Sequence, residues 1–500
     1  MGDTTCVTEP GLFRVLVPVL LTGCLALALA ACGDGAADAG PTQTTDALPD
    51  DPEELMAVAL RASFRDPAAT VEEDPDPAAV LKMGESGDER YVPVLVDILG
   101  FSWLLTPRLE EAVLWSLSSL SGLELTEENE TSVWWVEQLS MREDVELPPG
   151  YARWKGNLYT KLIDSRIGSF LVDAEDPRIR LEEVVWGGVL RDGIPDLQGP
   201  PVVAAADAAY LREDDRVFGL SINGESRAYP LRVMNAHEMA NDVLGGAAIA
   251  LAYCTLCGSG VAYAAETGGE TFSFGTSGLL YRGNKLMYDR QTQTLWVQFS
   301  GEPVIGPLQE SGIVLERLPL TLTTWAEWLV QHPETTVLDN ETGIYPGEVY
   351  AAESDPESPY YDYRAASGPI FPVHQRSGLL PDKEWVAGVS IAGQAVAYPL
   401  AVLDARDVVN DEVGGTEIVM IADGARAYER GGLLFVETRE TEDGFVVVDG
   451  SGGEWRVTED ALVSADDAER TLARVDSQVA YWFAWFQFHT DTSVYEEGGD

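Results

Sequence analysis

Between Pro52 and about Leu139 apolar residues return every three or four positions, the period of an amphipathic helix. Glu53–Ala62, Tyr91–Leu99, Leu109–Leu120 and Thr131–Met141 each carry this pattern, and together they predict an all-helical N-terminal module over 52–145. GDERYVPVLVDIL followed by PRLEEAVLWSLSSLSG resembles one helical hairpin of the HEAT type. After about residue 180 the period shortens to two, and turn residues punctuate short apolar runs. VFGLSI and SRAYPL read as strands joined at Asn223-Gly224, Arg232–Leu244 as a short helix ended by Gly245-Gly246, and AIALAYC as a buried strand. A Trp-rich helix is expected near Thr324–Gln331. The fold class that follows is α+β, with antiparallel sheets and short helices after the helical module.

The same pattern then occurs again. Val217–Cys254 and Val386–Asp423 align without gaps at an offset of about 169, and about 16 of 38 positions are identical. WAEWLVQHPETTVL (Trp325–Leu338) likewise resembles WFAWFQFHTDTSVY (Trp482–Tyr495), and Trp296 pairs with Trp455. The expectation is a tandem duplicated β-rich domain: copy one over 200–340, a connector over 341–379 and a degenerate copy two over 380–497, with 146–199 as a linking segment. Tyr229-Pro230-Leu231, Asn241-Asp242 and Gly245-Gly246 recur as Tyr398-Pro399-Leu400, Asn410-Asp411 and Gly414-Gly415. Shared residues are most simply structural, so the differences carry the functional information. His237 is replaced by Arg406 and Cys254 by Asp423, and Cys257-Gly258 has no counterpart in ADGARAY. His332 and His489 match across the copies and are read as structural; His374 in the connector is read as a surface residue.

Composition places this architecture. Thirty-two Lys and Arg against 83 Asp and Glu leave a formal charge of −51. Nucleic acid is thereby excluded as a default partner, since phosphate binding needs clustered cations. An acidic surface this poor in lysine suits an extracellular or salty setting by staying hydrated and self-repelling. The apolar run Val15–Ala31 follows Arg14 and ends at Leu29-Ala30-Ala31-Cys32, which resembles the lipobox of bacterial lipoproteins. Residues 1–31 then read as a lipoprotein signal, although Asp3 and Glu9 outweigh Arg14 in its leading part. Cys32 reads as the lipidation site, and 32–51 as an acidic flexible tether. The expected setting is the extracytoplasmic face of a membrane, held through lipid on Cys32, with the helical module available to a protein partner.

Of the five cysteines, cleavage and lipidation leave Cys254 and Cys257 as thiols. A Cys-x-x-Cys at the end of a buried strand can turn two sulfurs toward one centre. A four-cysteine site within one chain is excluded by the count. Cys254, Cys257 and His237, with Met287, Glu238 or water as a fourth ligand, would form a soft-metal site suited to copper or zinc. The same pair also reads as a thiol redox couple, as a local disulfide stiffening a loop, or as a catalytic cysteine with His237 as its base. Gly258-Ser259-Gly260 and the alternation that follows point to a strand after the pair, which disfavours a thioredoxin fold. Asp192-Gly193-Ile194-Pro195 reads as a turn and Asp289-Arg290 as a surface pair on a hairpin. Gly275-Thr276-Ser277-Gly278 lacks the lysine and helix of a phosphate loop.

GGVLRDGIPDL, RAYPLRVMNAHEMANDVLGG, ALAYCTLCGSGVAY, FGTSGLLYRGNKLMYDRQTQTLWVQFSGEPVIGPL and TTWAEWLVQHPETTVL together resemble the DUF3179 family, a bacterial and archaeal domain of unknown function. The resemblance spans roughly Leu181–Tyr495. It implies a secreted or lipid-anchored protein, and a family pattern of Cys-Pro-Leu-Cys where this chain has Cys254-Thr255-Leu256-Cys257. It implies no reaction. Two functions of different class follow from the residues: metal binding or thiol redox at the Cys/His site, or a non-catalytic surface scaffold in which Cys254 and Cys257 form a structural disulfide.

Overall fold

The computed structural model describes residues 48–62, 76–127, 129–174, 176–441 and 444–496. The signal over 1–31 and Cys32 lie outside the described residues, as does the tether up to residue 47. Among the described residues no helix is long and apolar enough to cross a membrane.

Two compact units divide the chain. The first holds the helices Pro52–Ala62, Ala78–Glu85, Val92–Leu99 and Pro107–Ser121. Their apolar stripes meet at Met56, Val80, Met83, Leu95, Ile98, Val113 and Leu117, all buried. Thr106 caps the longest helix through the Leu109 amide, and Gly122 in the left-handed conformation ends it. Helices also occupy the linking segment, at Tyr151–Leu162 and Ser165–Val172.

The second unit is a mixed α and β body, mostly sheet. Its first sheet runs in the order Thr321–Thr324, Arg216–Ile222, Glu225–Pro230, Thr336–Leu338 and Val202–Ala204. A second sheet runs Arg317–Leu318, Ser259–Ala264, Ala247–Cys254, Met239–Leu244 and Leu197–Gln198. A third places Val184–Trp186 beside Phe274–Tyr281, followed by Asn284–Asp289, Leu295–Val297 and Pro303–Ile305. Residues 184–198, expected as linker, therefore complete two of these sheets.

Downstream the order Ser477–Tyr481, Trp385–Ile391, Gln394–Pro399, Ser493–Val494 matches four strands of the first sheet. An eight-stranded sheet from Val408–Val413 to Phe435–Thr441 follows. Registers agree in detail: Val217 faces Pro230 as Val386 faces Pro399. Tyr229 and Tyr398 donate to Asp242 and Asp411 at 2.8 and 2.7 Å. The Trp296 and Trp455 indoles donate to Asp289 and Asp449 at 2.9 and 3.0 Å. Trp328 packs on His332 as Trp485 packs on His489, each with ring centroids 3.9 Å apart.

The helix expected over Arg232–Leu244 is shorter. It spans Leu231–His237 and ends where Glu238 turns left-handed, at φ 57°. Met239–Leu244 is a strand, and Gly245-Gly246 is its hairpin turn to Ala247–Cys254. Asn241 explains the override: its side chain bonds the Phe274 carbonyl and amide at 2.9 and 2.8 Å, tying the segment between two sheets. Asn241-Asp242 is thus sheet wiring, not the polar end of a helix.

Candidate functional site

The strand Ala247–Cys254 delivers Cys254 to the end of the second sheet, and one turn of 3-10 helix, Thr255–Cys257, carries the second thiol. The chain then reverses at Gly258, whose φ of 63° is left-handed, so that Ser259 pairs back to Cys254. A side chain at Gly258 would lie 2.7 Å from the Trp385 ring and 3.3 Å from Tyr481. Rings from the downstream stretch therefore close over the thiol turn.

Both thiols are buried and free, and they contact each other. Cys257 Sγ donates to the Gly283 carbonyl at 3.0 Å. Burial pushes the Cys257 thiol well up, and the neighbouring Cys254 pushes it further. Asn284 lies beside them, its amide donating to Ser259 Oγ at 3.0 Å. Asn284 Oδ1 and Thr255 Oγ1 are buried without hydrogen-bond partners.

Next to this pair lies a buried ion pair that the sequence reading missed. Lys285 Nζ bonds Glu238 twice, at 3.0 Å to the carboxylate and 2.9 Å to the backbone carbonyl. Tyr360 reaches the same carboxylate at 3.4 Å, and Tyr363 donates to the Leu256 carbonyl at 2.5 Å. The connector thus lays two phenols over the site. Lys383 holds that cover in place through the carbonyls of Tyr363 and Ala366, and burial lowers its pKa to about 8. A signal for Lys285 existed: it is a rare lysine inside the apolar run LLYRGNKLMY.

The expected third and fourth ligands are engaged elsewhere. His237 Nδ1 meets the Pro195 carbonyl at 2.7 Å, and Nε2 meets the Tyr350 hydroxyl at 2.6 Å. A carbonyl only accepts, so Nδ1 carries the proton and the Nε2 lone pair takes the Tyr350 hydrogen. Burial pushes the His237 pKa down, which keeps the ring neutral. Met287 packs in an apolar cluster with Phe274 and Trp296. Among the described residues no group of three or more His, Cys, Asp and Glu is arranged to hold a metal ion. Of the four residues, Cys254 and Cys257 are the two whose side chains interact.

Two further expectations are corrected. His374 is buried, not a surface residue: it is paired with Glu183, which also takes Arg282 at 3.0 Å. Asp289 is fully buried and accepts from Thr292, Thr294 and Trp296, while Arg290 turns instead to Asp192 at 3.0 Å and to Asp196. Tyr288 donates to Asp192 at 2.7 Å, so the turn at Asp192 is wired to that hairpin.

A family of proteins described as "Protein of unknown function (DUF3179)" matches residues 191–492. No curated protein and no solved structure matches the chain.

Proposed function

The chain belongs to the DUF3179 family, and we propose that its domain is a thiol–disulfide redox module with Cys254 and Cys257 as the couple. The observation that carries this reading is a pair of free thiols in mutual contact at a hairpin turn, beside a buried Lys285–Glu238 pair. The equivalent turn downstream has no cysteine. Cys254 pairs with Ser259 and Ile421 with Arg426, each across a four-residue turn, but the upstream strands run two residue pairs further before turning. The thiols sit on this two-pair extension of the hairpin and its turn, as expected of a functional addition.

The chemistry balances as exchange with a disulfide of another protein or of a low-molecular-weight thiol. Cys254, as thiolate, bonds one sulfur of that disulfide; the disulfide breaks, and its other sulfur leaves as a thiolate that takes up a proton. Cys257 then loses its proton and displaces the first sulfur, leaving Cys254–Cys257 oxidised and the partner reduced by two electrons. Burial keeps Cys257 protonated, and both sulfurs are enclosed, so exchange requires the Tyr360 and Tyr363 cover to lift.

In this reading the body is a tandem duplication, supported by the matched registers, Tyr–Asp and Trp–Asp bonds and Trp–His stacks. It is exported and lipid-anchored at Cys32, supported by the lipobox-like sequence, where disulfides can persist. A soft metal on the same two sulfurs would need ligands other than His237 and Met287.

The test equilibrates the purified full chain with glutathione buffers over about −300 to −120 mV and counts free thiols by alkylation and mass. The expected result is one two-electron transition, lost in both Cys254→Ser and Cys257→Ser. Thiols that stay reduced throughout, or zinc or copper bound in stoichiometric amount and lost in both variants, would overturn it.

A further inference from the structure

We propose that the strand Phe435–Thr441 pairs with the same strand of a second copy of this chain, antiparallel and centred on Thr438. Among the described residues this strand ends its sheet: Gly444–Asp449 pairs with one edge, and no strand pairs with the other. Its side chains are open as well. Val436 is 58% exposed and Leu434, just before the strand, 59%; Glu437, Arg439, Glu440 and Thr441 are exposed too. An open edge is a row of unpaired backbone donors and acceptors that another strand can complete.

The matched strand upstream shows such an edge filled. The Asn241 side chain bonds the Phe274 amide and carbonyl as the Asn410 side chain bonds those of Phe435, which aligns Phe274–Tyr281 with Phe435–Thr441. Val184–Trp186 pairs with the outer edge of the upstream strand. The Gly187 and Asp192 amides continue along it, donating to the Gly278 and Thr276 carbonyls at 2.8 and 2.9 Å. Every residue of Phe274–Tyr281 is buried as a result. The chain before the downstream stretch runs over the thiols instead, through Tyr360 and Tyr363, and leaves the downstream edge open.

Charge names the occupant and the register. A strand that pairs symmetrically with its own copy sets one residue opposite itself, and its two neighbours opposite each other. Centres at Glu437, Arg439 or Glu440 each place like charges face to face, which destabilises a ladder. Centred on Thr438, Glu437 stands opposite the second copy's Arg439, and the pairing occurs twice. Within the chain Arg439 bonds Glu437 at 2.8 Å and Glu454 at 2.6 Å, and all three side chains are about half exposed. Exposed pairs of this kind are weak, so both arginines are free to join one cluster across the two-fold axis. The charges and the bulge between Phe435 and Glu437 shield the edge from other strands, whereas the order Glu-Thr-Arg fits itself. The inference is independent of the thiol reading.

Sedimentation equilibrium of the purified full chain over about 1–100 μM tests it. A monomer–dimer equilibrium is expected. Glu437→Arg and Arg439→Glu each set like charges opposite in both places, and each alone should weaken the dimer about tenfold or more. Mixed, the two variants are complementary and should pair with each other. Opposed Cα atoms of an antiparallel pair lie about 4.5–5.5 Å apart, within disulfide reach, so Thr438→Cys should cross-link two chains on oxidation. The exposed control Glu469→Cys should not. A monomer at every concentration, a dimer indifferent to both charge variants, a mixture no tighter than its parts, or no cross-link through Cys at 438 would overturn the proposal.

Discussion

Gly258→Ala tests whether the downstream stretch closes the thiol turn. Two costs add at this position. An alanine at φ 63° meets the steric penalty of the left-handed region, about 1–2 kcal/mol. Its methyl would also stand 2.7 and 2.9 Å from two atoms of the Trp385 ring, and overpacking of this kind costs about 1–3 kcal/mol. The sum is about 2–5 kcal/mol. Gly224→Ala isolates the first cost, because Gly224 also has positive φ, 84°, and no atom within 4 Å of its would-be Cβ. Urea denaturation of the full chain, followed by tryptophan fluorescence, should place Gly258→Ala below Gly224→Ala by about 1–3 kcal/mol. Maleimide labelling of Cys254 and Cys257 in the native state should be faster in Gly258→Ala alone. Trp385→Leu in the same background should narrow the gap. Equal losses for the two glycine variants, with no change in labelling, would refute the packing argument.

Lys285→Met leaves Glu238 buried beside the thiols without its cation and should destabilise the domain by about 3–5 kcal/mol; the double variant with Glu238→Gln should regain most of this in urea denaturation. His489 is pushed down to about 4 by burial, so the unfolded chain binds the proton more readily than the folded one. Its contribution is complete above the ordinary value of 6.5 and is lost as pH falls toward 4; burial of His237 and His374 acts in the same sense. His489→Phe should flatten the stability–pH slope in that window by about 2 kcal/mol in total. Asp289→Ala and Asp449→Ala should each cost about 3–5 kcal/mol by thermal unfolding, since each orphans an indole and nearby turn amides.

The likeness of the two stretches was visible in the sequence because both keep the residues that fix strand register. Turn glycines, the Tyr-Pro-Leu corner and the closing tryptophans are all short-range or periodic signals. The four helices read within 52–145 have their boundaries to within two residues for the same reason, while the helix Ala78–Glu85 was not read. The strand Met239–Leu244 was not, because its state is set by Asn241 bonding a chain segment more than thirty residues away. The cysteine pair stood out from the sequence as a difference between the two similar stretches. Of the rest of its surroundings Glu238 alone was weighed, as a ligand; Lys285, Tyr360 and Tyr363 come from two further segments, and no local pattern joins them to the pair. His237 misled because its neighbours Pro195 and Tyr350 are equally remote in sequence.

The rings over Gly258 also impose a timetable. Trp385 lies 385 − 257 = 128 residues after Cys257, and Tyr481 lies 481 − 257 = 224 after it. At roughly 5–20 residues per second, a nascent chain carries its cysteine pair for about ten to forty seconds before the last of these rings exists. During that interval the sulfurs meet whatever oxidant or thiol surrounds the chain, beneath a cover still missing its last ring. The state in which the pair is first enclosed is therefore set by chain growth and surroundings, and later exchange waits on the cover lifting.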